Sequence, residues 1–201
     1  MKTVNIVLLV LILLIAIGIG GYFALERAAH ERDLRNYPTA YTELVRSYAE
    51  EFSLDPYLVT AIMRCESSND PNAVSKKGAI GLMQIMPDTG AWIAHKLKLD
   101  ESYTETQLYD PETNIRFACW YLAFLERRLN NNETCVIAAY NAGHGSVEKW
   151  LSDPAFAENG ELLTIPFPET ARYLEKVRTA YDKYRELYPE LYNGAVAGEA
   201  E

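Results

Sequence analysis

Cysteine and histidine are scarce, with three of each in 201 residues. Three thiols cannot staple a scaffold of this size, which excludes a disulfide-built fold. His30, His95 and His144 are scattered, with no HExxH and no paired-cysteine spacing, so neither a metal site nor a cofactor is expected. Walker-type and dinucleotide-binding glycine loops are missing, as is the GxSxG turn of a serine nucleophile. Cation is short as well: 19 Lys plus Arg stand against 28 Asp plus Glu, a formal net charge of -9. Nucleic-acid binders need clustered positive charge to displace counterions from phosphate, so that class is excluded. No repeat period is present, and no stretch alternates as a long strand would.

What the chain does have begins with an apolar run. Residues 4–25 carry no charge and residues 6–17 are purely aliphatic. At about 1.5 Å of rise per residue, a helix of that length crosses a hydrocarbon layer of roughly 30 Å. A retained membrane anchor over residues 1–25 is favoured over a cleaved secretory signal, because the run exceeds the usual signal core of about 7–15 residues. Either reading exports the remainder, and the favoured one gives a single-pass protein with its folded part outside the cytoplasm. Arg27, Arg32 and Arg35 beyond the run oppose that orientation on the positive-inside tendency. Gly18 and Gly21 do not make a GxxxG pair, so nothing supports dimerisation through the span and a monomer is expected. Residues 26–37 balance acids with arginines and read as a charged helical stalk. Residues 189–201, mostly Gly, Ala and Glu, bury too little to offset their ordering entropy and read as a loose tail.

Residues 38–188 are long enough for one domain with a real core. Their periodicity is helical. Tyr41, Leu44, Val45, Tyr48, Ala49 and Phe52 recur three and four apart. Asp55 and Pro56 cap and open a second helix that runs through Ile62 and Met63 toward Glu66. Residues 75–87 hold Gly78 and Gly81 without helical spacing and read as an irregular loop or short hairpin. Asp88 is expected to cap a helix through Leu97, Asp110 a longer one, and Ser146 another around Trp150, while Pro168 opens the last. Cys119 and Cys135 fall on consecutive predicted helices, where an oxidising compartment would permit a bond, but unpaired thiols are favoured.

Glu66 follows Val59, Ile62 and Met63 by seven, four and three residues, which places its carboxylate on the buried helix face. Desolvation would raise its pKa from about 4.3 toward roughly 6, where it could donate a proton near neutral pH. Spacing alone makes it only a candidate, since a Glu at a helix end is usually exposed. Its neighbours add weight. Glu66-Ser67 precedes Ser75 and the block Gly78-Ala79-Ile80-Gly81-Leu82-Met83-Gln84-Ile85-Met86-Pro87. Then come Ala139-Tyr140-Asn141-Ala142-Gly143 and Ile165-Pro166-Phe167-Pro168-Glu169-Thr170, with Arg172 and Tyr173 after them. In that order, over residues 58–177, these blocks closely resemble the catalytic domain of soluble-type lytic transglycosylases, which have a goose-type-lysozyme-like fold.

The resemblance implies a mainly α, lysozyme-like (α+β) domain over residues 38–188, acting on peptidoglycan glycan strands. It implies that Glu66 is the catalytic acid, protonating the glycosidic oxygen between N-acetylmuramic acid and N-acetylglucosamine. The same carboxylate then accepts the proton of the muramoyl 6-hydroxyl as a 1,6-anhydro ring closes, with the substrate's N-acetyl group replacing a second carboxylate. Ser67 would help hold Glu66. Ser75, Gln84 and Met86 would line the sugar groove, Tyr140 and Asn141 would face the reacting ring, and Glu169 and Tyr173 would close the site. Taken without the resemblance, Met86 and Tyr173 read as core residues, Asn141 as part of a helix-ending turn, and Glu169 as a first-turn acid. Cys65, beside the acid, stands where relatives carry a polar residue. Two other readings stay open: a hydrolytic muramidase in which Asp70 positions water, and a non-catalytic wall-binding protein.

Overall fold

The computed structural model describes residues 2–99 and 101–192. The chain divides into two units, residues 1–38 and residues 39–201. The first consists of one helix, α1 (Lys2–Asn36). Its apolar side chains from Leu13 through Leu25 face outward, Phe23 being 65% and Leu25 74% exposed. Among the described residues no helix is both long and apolar enough to cross a membrane. Of the uncharged run, the side chains of residues 4–7, 10 and 12 lie outside the described residues.

The second unit is mainly helical. Its elements are α2 (Thr42–Phe52), α3 (Pro56–Ser67), α4 (Pro87–Lys96), a 3-10 turn (Glu105–Tyr109), α5 (Pro111–Arg128), α6 (Glu133–Ala142) and α7 (His144–Leu151). A small hairpin of β1 (Ala157–Glu158) and β2 (Glu161–Leu162) and the long helix α8 (Pro168–Leu187) complete it. Helix α3 is the axis of the core. Every residue from Tyr57 to Met63 is buried, with α8 packed along one side and α2 on another. Asp55 caps α3 by accepting from the Tyr57 amide at 2.8 Å, and Pro56 fills the first turn, where no amide is needed. At the other end Ser68 takes a left-handed conformation (φ 57°) and stops the helix one turn past Met63. Glu66 therefore sits at the rim of the core rather than inside it.

Residues 73–86 cross the end of α3 as an irregular loop stitched by the bridges Val74 to Ile80 and Ile80 to Ile85. Asn114 of α5, 1% exposed, holds this loop from beneath. Its Oδ1 accepts from the Met83 amide at 2.8 Å, and its Nδ2 donates to the carbonyls of Ile80 (3.0 Å) and Leu108 (2.7 Å). Gly81 lies against this clamp at φ +80°, where an added Cβ would collide with the Leu108 carbonyl and the Asn114 amide.

Several local expectations change. Helix α4 begins at Pro87 with Met86 as its N-cap, so Asp88 is a first-turn acid rather than the cap. Pro87 fixes the helical φ one residue earlier than a side-chain cap at 88 requires. Helix α7 begins at His144 behind Gly143, which displaces Ser146 from the cap into the first turn. Residues 189–192, expected to begin a loose tail, are packed against the domain. Arg46 donates to the Leu191 carbonyl at 3.1 Å, the Tyr57 hydroxyl donates to the Tyr188 carbonyl at 2.7 Å, and the Tyr192 ring meets Tyr57 edge-on. Thr60 and Tyr192 share a hydroxyl bond of 2.6 Å, so Tyr192 straps the start of α3; of residues 189–201, residues 193–201 lie outside the described residues. Cys119 and Cys135 are buried, separate free thiols.

Candidate active site

The last turn of α3, the loop of residues 75–86, the end of α6 and the start of α8 enclose a cleft of about 780 Å³. Glu66 forms part of its lining, and the Tyr173 hydroxyl of α8 donates to its Oε1 at 2.6 Å. Burial pushes the Glu66 carboxyl up, against the Tyr173 bond, which favours the charged form, and the two together leave it raised from the ordinary 4.5 to about 7. The Tyr173 and Tyr140 phenols are driven well above their usual range, first by burial and then by the neighbouring Glu66 charge. Burial and Glu66 together push the Cys65 thiol up to about 11, so at neutral pH it is no nucleophile. The arrangement is a carboxyl that is a weak acid at neutral pH, held in one orientation by a phenol that stays protonated.

Seven of the residues singled out in the sequence meet on this cleft: Glu66, Ser75, Gln84, Met86, Tyr140, Asn141 and Glu169. Tyr173 lies behind the surface, 8% exposed, and reaches the cleft through its bond to Glu66. Ser67 is placed elsewhere. Its hydroxyl accepts from the Asp70 amide at 3.1 Å and faces the Met63 carbonyl at 3.5 Å, so it closes the turn after α3 and does not line the cleft.

The other polar side chains are held by backbone. Gln84, in a left-handed conformation at φ 49°, donates its amide nitrogen to the carbonyls of Ala73 (3.1 Å) and Gly81 (2.9 Å). Among the described residues its Oε1 has no hydrogen-bond donor. Tyr140 donates to the Met83 carbonyl at 2.9 Å, tying α6 to the loop that Asn114 clamps. Asn141 accepts from Thr170 at 2.8 Å, which fixes its amide and joins the end of α6 to the start of α8. Met86 keeps 40% exposure for an apolar contact.

Sequence reasoning missed Thr170 and both lysines of the cleft, Lys76 and Lys77. Lys77 lies 4.0 Å from Glu169. Thr170 stands inside a block already marked, but its role depends on a partner 29 residues away. The lysines carried no periodic signal, because they lie in a turn. Asp70, the acid considered for positioning water, accepts from the Asn72 amide at 2.9 Å and does not line the cleft.

A helical, lysozyme-like domain with a half-buried carboxyl on the wall of an open cleft is the class that fold and site define. The chain belongs to the transglycosylase SLT domain family, whose model matches residues 43–162. It is 37% identical over 150 residues to the soluble lytic murein transglycosylase of Escherichia coli K12, covering 74% of this chain and 23% of that protein. It is 34% identical over 165 residues to membrane-bound lytic murein transglycosylase C of Photorhabdus laumondii, covering 72% of this chain and 46% of that protein. The crystal structure of the 70 kDa soluble lytic transglycosylase of Escherichia coli superposes with a TM-score of 0.70 at 32% identity, covering 84% of this chain and 28% of that one. An inactive glutamate-to-glutamine mutant of the Pseudomonas aeruginosa enzyme superposes with a TM-score of 0.67 at 33% identity, covering 75% of this chain and 25% of that one. The chain thus spans less than half the length of the curated relatives it matches here.

Proposed function

We propose that this protein is a peptidoglycan lytic transglycosylase in which Glu66 serves as acid and then as base. The observation that carries the reading is the half-buried Glu66 carboxyl on the cleft wall, held by the Tyr173 hydroxyl at 2.6 Å and raised by its surroundings to about 7. Protonated Glu66 gives its proton to the oxygen joining N-acetylmuramic acid to N-acetylglucosamine, and the bond from that oxygen to the muramoyl C1 breaks. The substrate's acetamido oxygen covers C1 meanwhile. The muramoyl 6-hydroxyl then bonds to C1 and returns its proton to Glu66, leaving a 1,6-anhydro end with no water consumed. Tyr173 positions the carboxyl and steadies its charged form between the two steps. Gln84 Oε1, the Asn141 amide and the Ser75 region are assigned to sugar hydroxyl and acetamido groups, and Met86 and Tyr140 to the apolar ring faces. Glu169 borders the same cleft from α8. The inactive glutamate-to-glutamine mutant of a structural relative supports assigning the chemistry to one carboxyl.

Hydrolysis by a second acid gains no support from Asp70, which is not among the residues lining the cleft. Residues 1–25 are read as a membrane anchor, residues 26–37 as a charged stalk, and residues 38–188 as a monomeric catalytic domain outside the cytoplasm. Support for the anchor is the uncharged run of residues 4–25 within an unbroken 35-residue helix, together with relatives named membrane-bound. Mass spectrometry of purified wall digested by the full chain tests the reaction. The expected fragments are one water lighter than reducing muropeptides, and reducing ends alone would replace this reading with a muramidase.

A further inference from the structure

The two cleft lysines are unused by the chemistry above. Residues 75–78 form a tight turn closed by the Gly78 amide donating to the Ser75 carbonyl at 2.9 Å, with Gly78 at φ +88°. The turn is pinned again by paired bonds from the Ser75 amide to the Ala79 carbonyl (2.9 Å) and from the Ala79 amide to the Ser75 hydroxyl (3.0 Å). Lys76 and Lys77 occupy its two central positions, so the backbone presents adjacent ammonium groups on one wall of the cleft. Among the described residues they are its only cationic lining, in a chain of net charge -9. Lys77 is 82% exposed and shares its charge with Glu169, itself 73% exposed, at 4.0 Å across the cleft. With Glu169 offset by Lys77, Lys76 stands on the cleft wall as a cation with no ion-pair partner among the described residues, on an otherwise acidic molecule.

We propose that Lys76 and Lys77 form a cationic rim that captures the carboxylates of the peptide stems borne by the glycan strand, making them specificity-determining residues of the cleft. This rests on the reading of the cleft as the site of glycan cleavage. A stem carboxylate competes with Glu169 for Lys77 and meets Lys76 uncontested, so entry of a stem-bearing sugar exchanges an internal ion pair for one with substrate. Contacts of this exposure contribute modestly, and two of them amount to about three- to tenfold in kcat/KM.

The test compares the full chain with the Lys76→Gln/Lys77→Gln double variant on three wall preparations. One keeps its free stem carboxylates, one has them capped as methylamides by carbodiimide coupling, and one has the stems removed by amidase, leaving only the muramoyl lactyl carboxylate. The readout is the ratio of kcat/KM on free to capped stems within each protein, so a general loss of folding or activity cancels. The expected ratio is about three to ten for the unaltered chain and near one for the variant. For the unaltered chain it should also collapse as salt rises from about 0.05 M to about 1 M, where the screening length falls to about 3 Å. A ratio near one for the unaltered chain, or one that survives in the variant, overturns the proposal. Equal preference for stripped and stem-bearing strands overturns the assignment to stems in favour of the lactyl carboxylate. Absence of anhydro products from all three preparations would instead overturn the reading of the cleft itself.

Discussion

At the scale of single residues, the protein holds a proton in a place that costs it stability. Glu66 titrates near 4.5 when unfolded and near 7 when folded, so between those values the unfolded chain binds fewer protons than the native one. Stability therefore falls as pH rises from about 4.5 to about 7, by up to about 1.4 kcal/mol per unit, and the full penalty persists above 7. Glu66→Gln removes the ionisation and keeps an oxygen to accept from Tyr173. The variant is expected to be more stable than the parent by about 2–3 kcal/mol at pH 8, with the gap closing toward pH 4, as denaturant titrations at the two pH values would show. It should also lose at least about a hundredfold in wall cleavage, the usual contribution of a positioned acid. Tyr173→Phe acts in the opposite sense. Its hydroxyl stabilises charged Glu66, so removing it raises the carboxyl pKa further and moves the alkaline limb of kcat/KM to higher pH, by up to about one unit. A limb that stays in place or moves down would mean that Glu66 does not govern it. Much of this site was legible in the sequence. The three, four and seven spacing behind Glu66 is a statement about helix faces, and it names the buried side. Ser67 shows where such reading stops, because a hydroxyl one residue past the acid turns to the backbone of the next turn instead.

At the scale of elements, the helices were readable because their stripes and first-turn prolines are local signals. Asp55, Asp110 and Asn132 each cap the helix they precede. The hairpin of β1 and β2 was not readable as strand, because two-residue strands carry no alternation. Its only signal is the Asn159-Gly160 pair, both at positive φ, which suits a tight two-residue turn. The wall of the cleft depends on a contact that no local pattern contains. Asn114 on α5 looks in sequence like one polar residue among apolar ones, yet it holds residues 80–83 and the end of the 3-10 turn together. Replacing it with Ala leaves one buried amide and two carbonyls without this partner. The Ile80 carbonyl keeps the Ile85 amide at 3.0 Å, so at about 1–3 kcal/mol for each of the two stranded groups Asn114→Ala is expected to cost at least about 2 kcal/mol in urea unfolding. The Tyr140 bond to Met83 should loosen with it, so activity on wall falls under conditions where the variant is still folded. A loss under about 1 kcal/mol would mean the loop is held by Gly81 and its bridges alone.

At the scale of the whole molecule, charge and anchoring have to be considered together. A protein of net charge -9 gains no long-range attraction to an anionic wall polymer, so encounter must be supplied otherwise. The cationic rim supplies it locally, within about a Debye length of the cleft. Anchoring would supply it globally, by confining the catalytic unit to a thin layer beside its substrate, where effective concentration replaces steering. The division of the chain at residue 38 makes this separable by experiment. The full chain and a chain beginning at Thr39 are to be mixed with phosphatidylethanolamine–phosphatidylglycerol vesicles and floated through a density gradient. The full chain is expected to rise with the vesicles at low and at high salt, since burial of residues 4–25 is apolar and not electrostatic. The shorter chain should stay in the aqueous fraction, melt at the same temperature as the catalytic unit of the full chain, and cleave soluble wall fragments at the same rate. On vesicle-tethered wall fragments only the full chain should show accelerated cleavage. If the full chain fails to float, or floats only at low salt, the first helix is a surface-bound or soluble arm, and capture of the wall rests on the cleft alone.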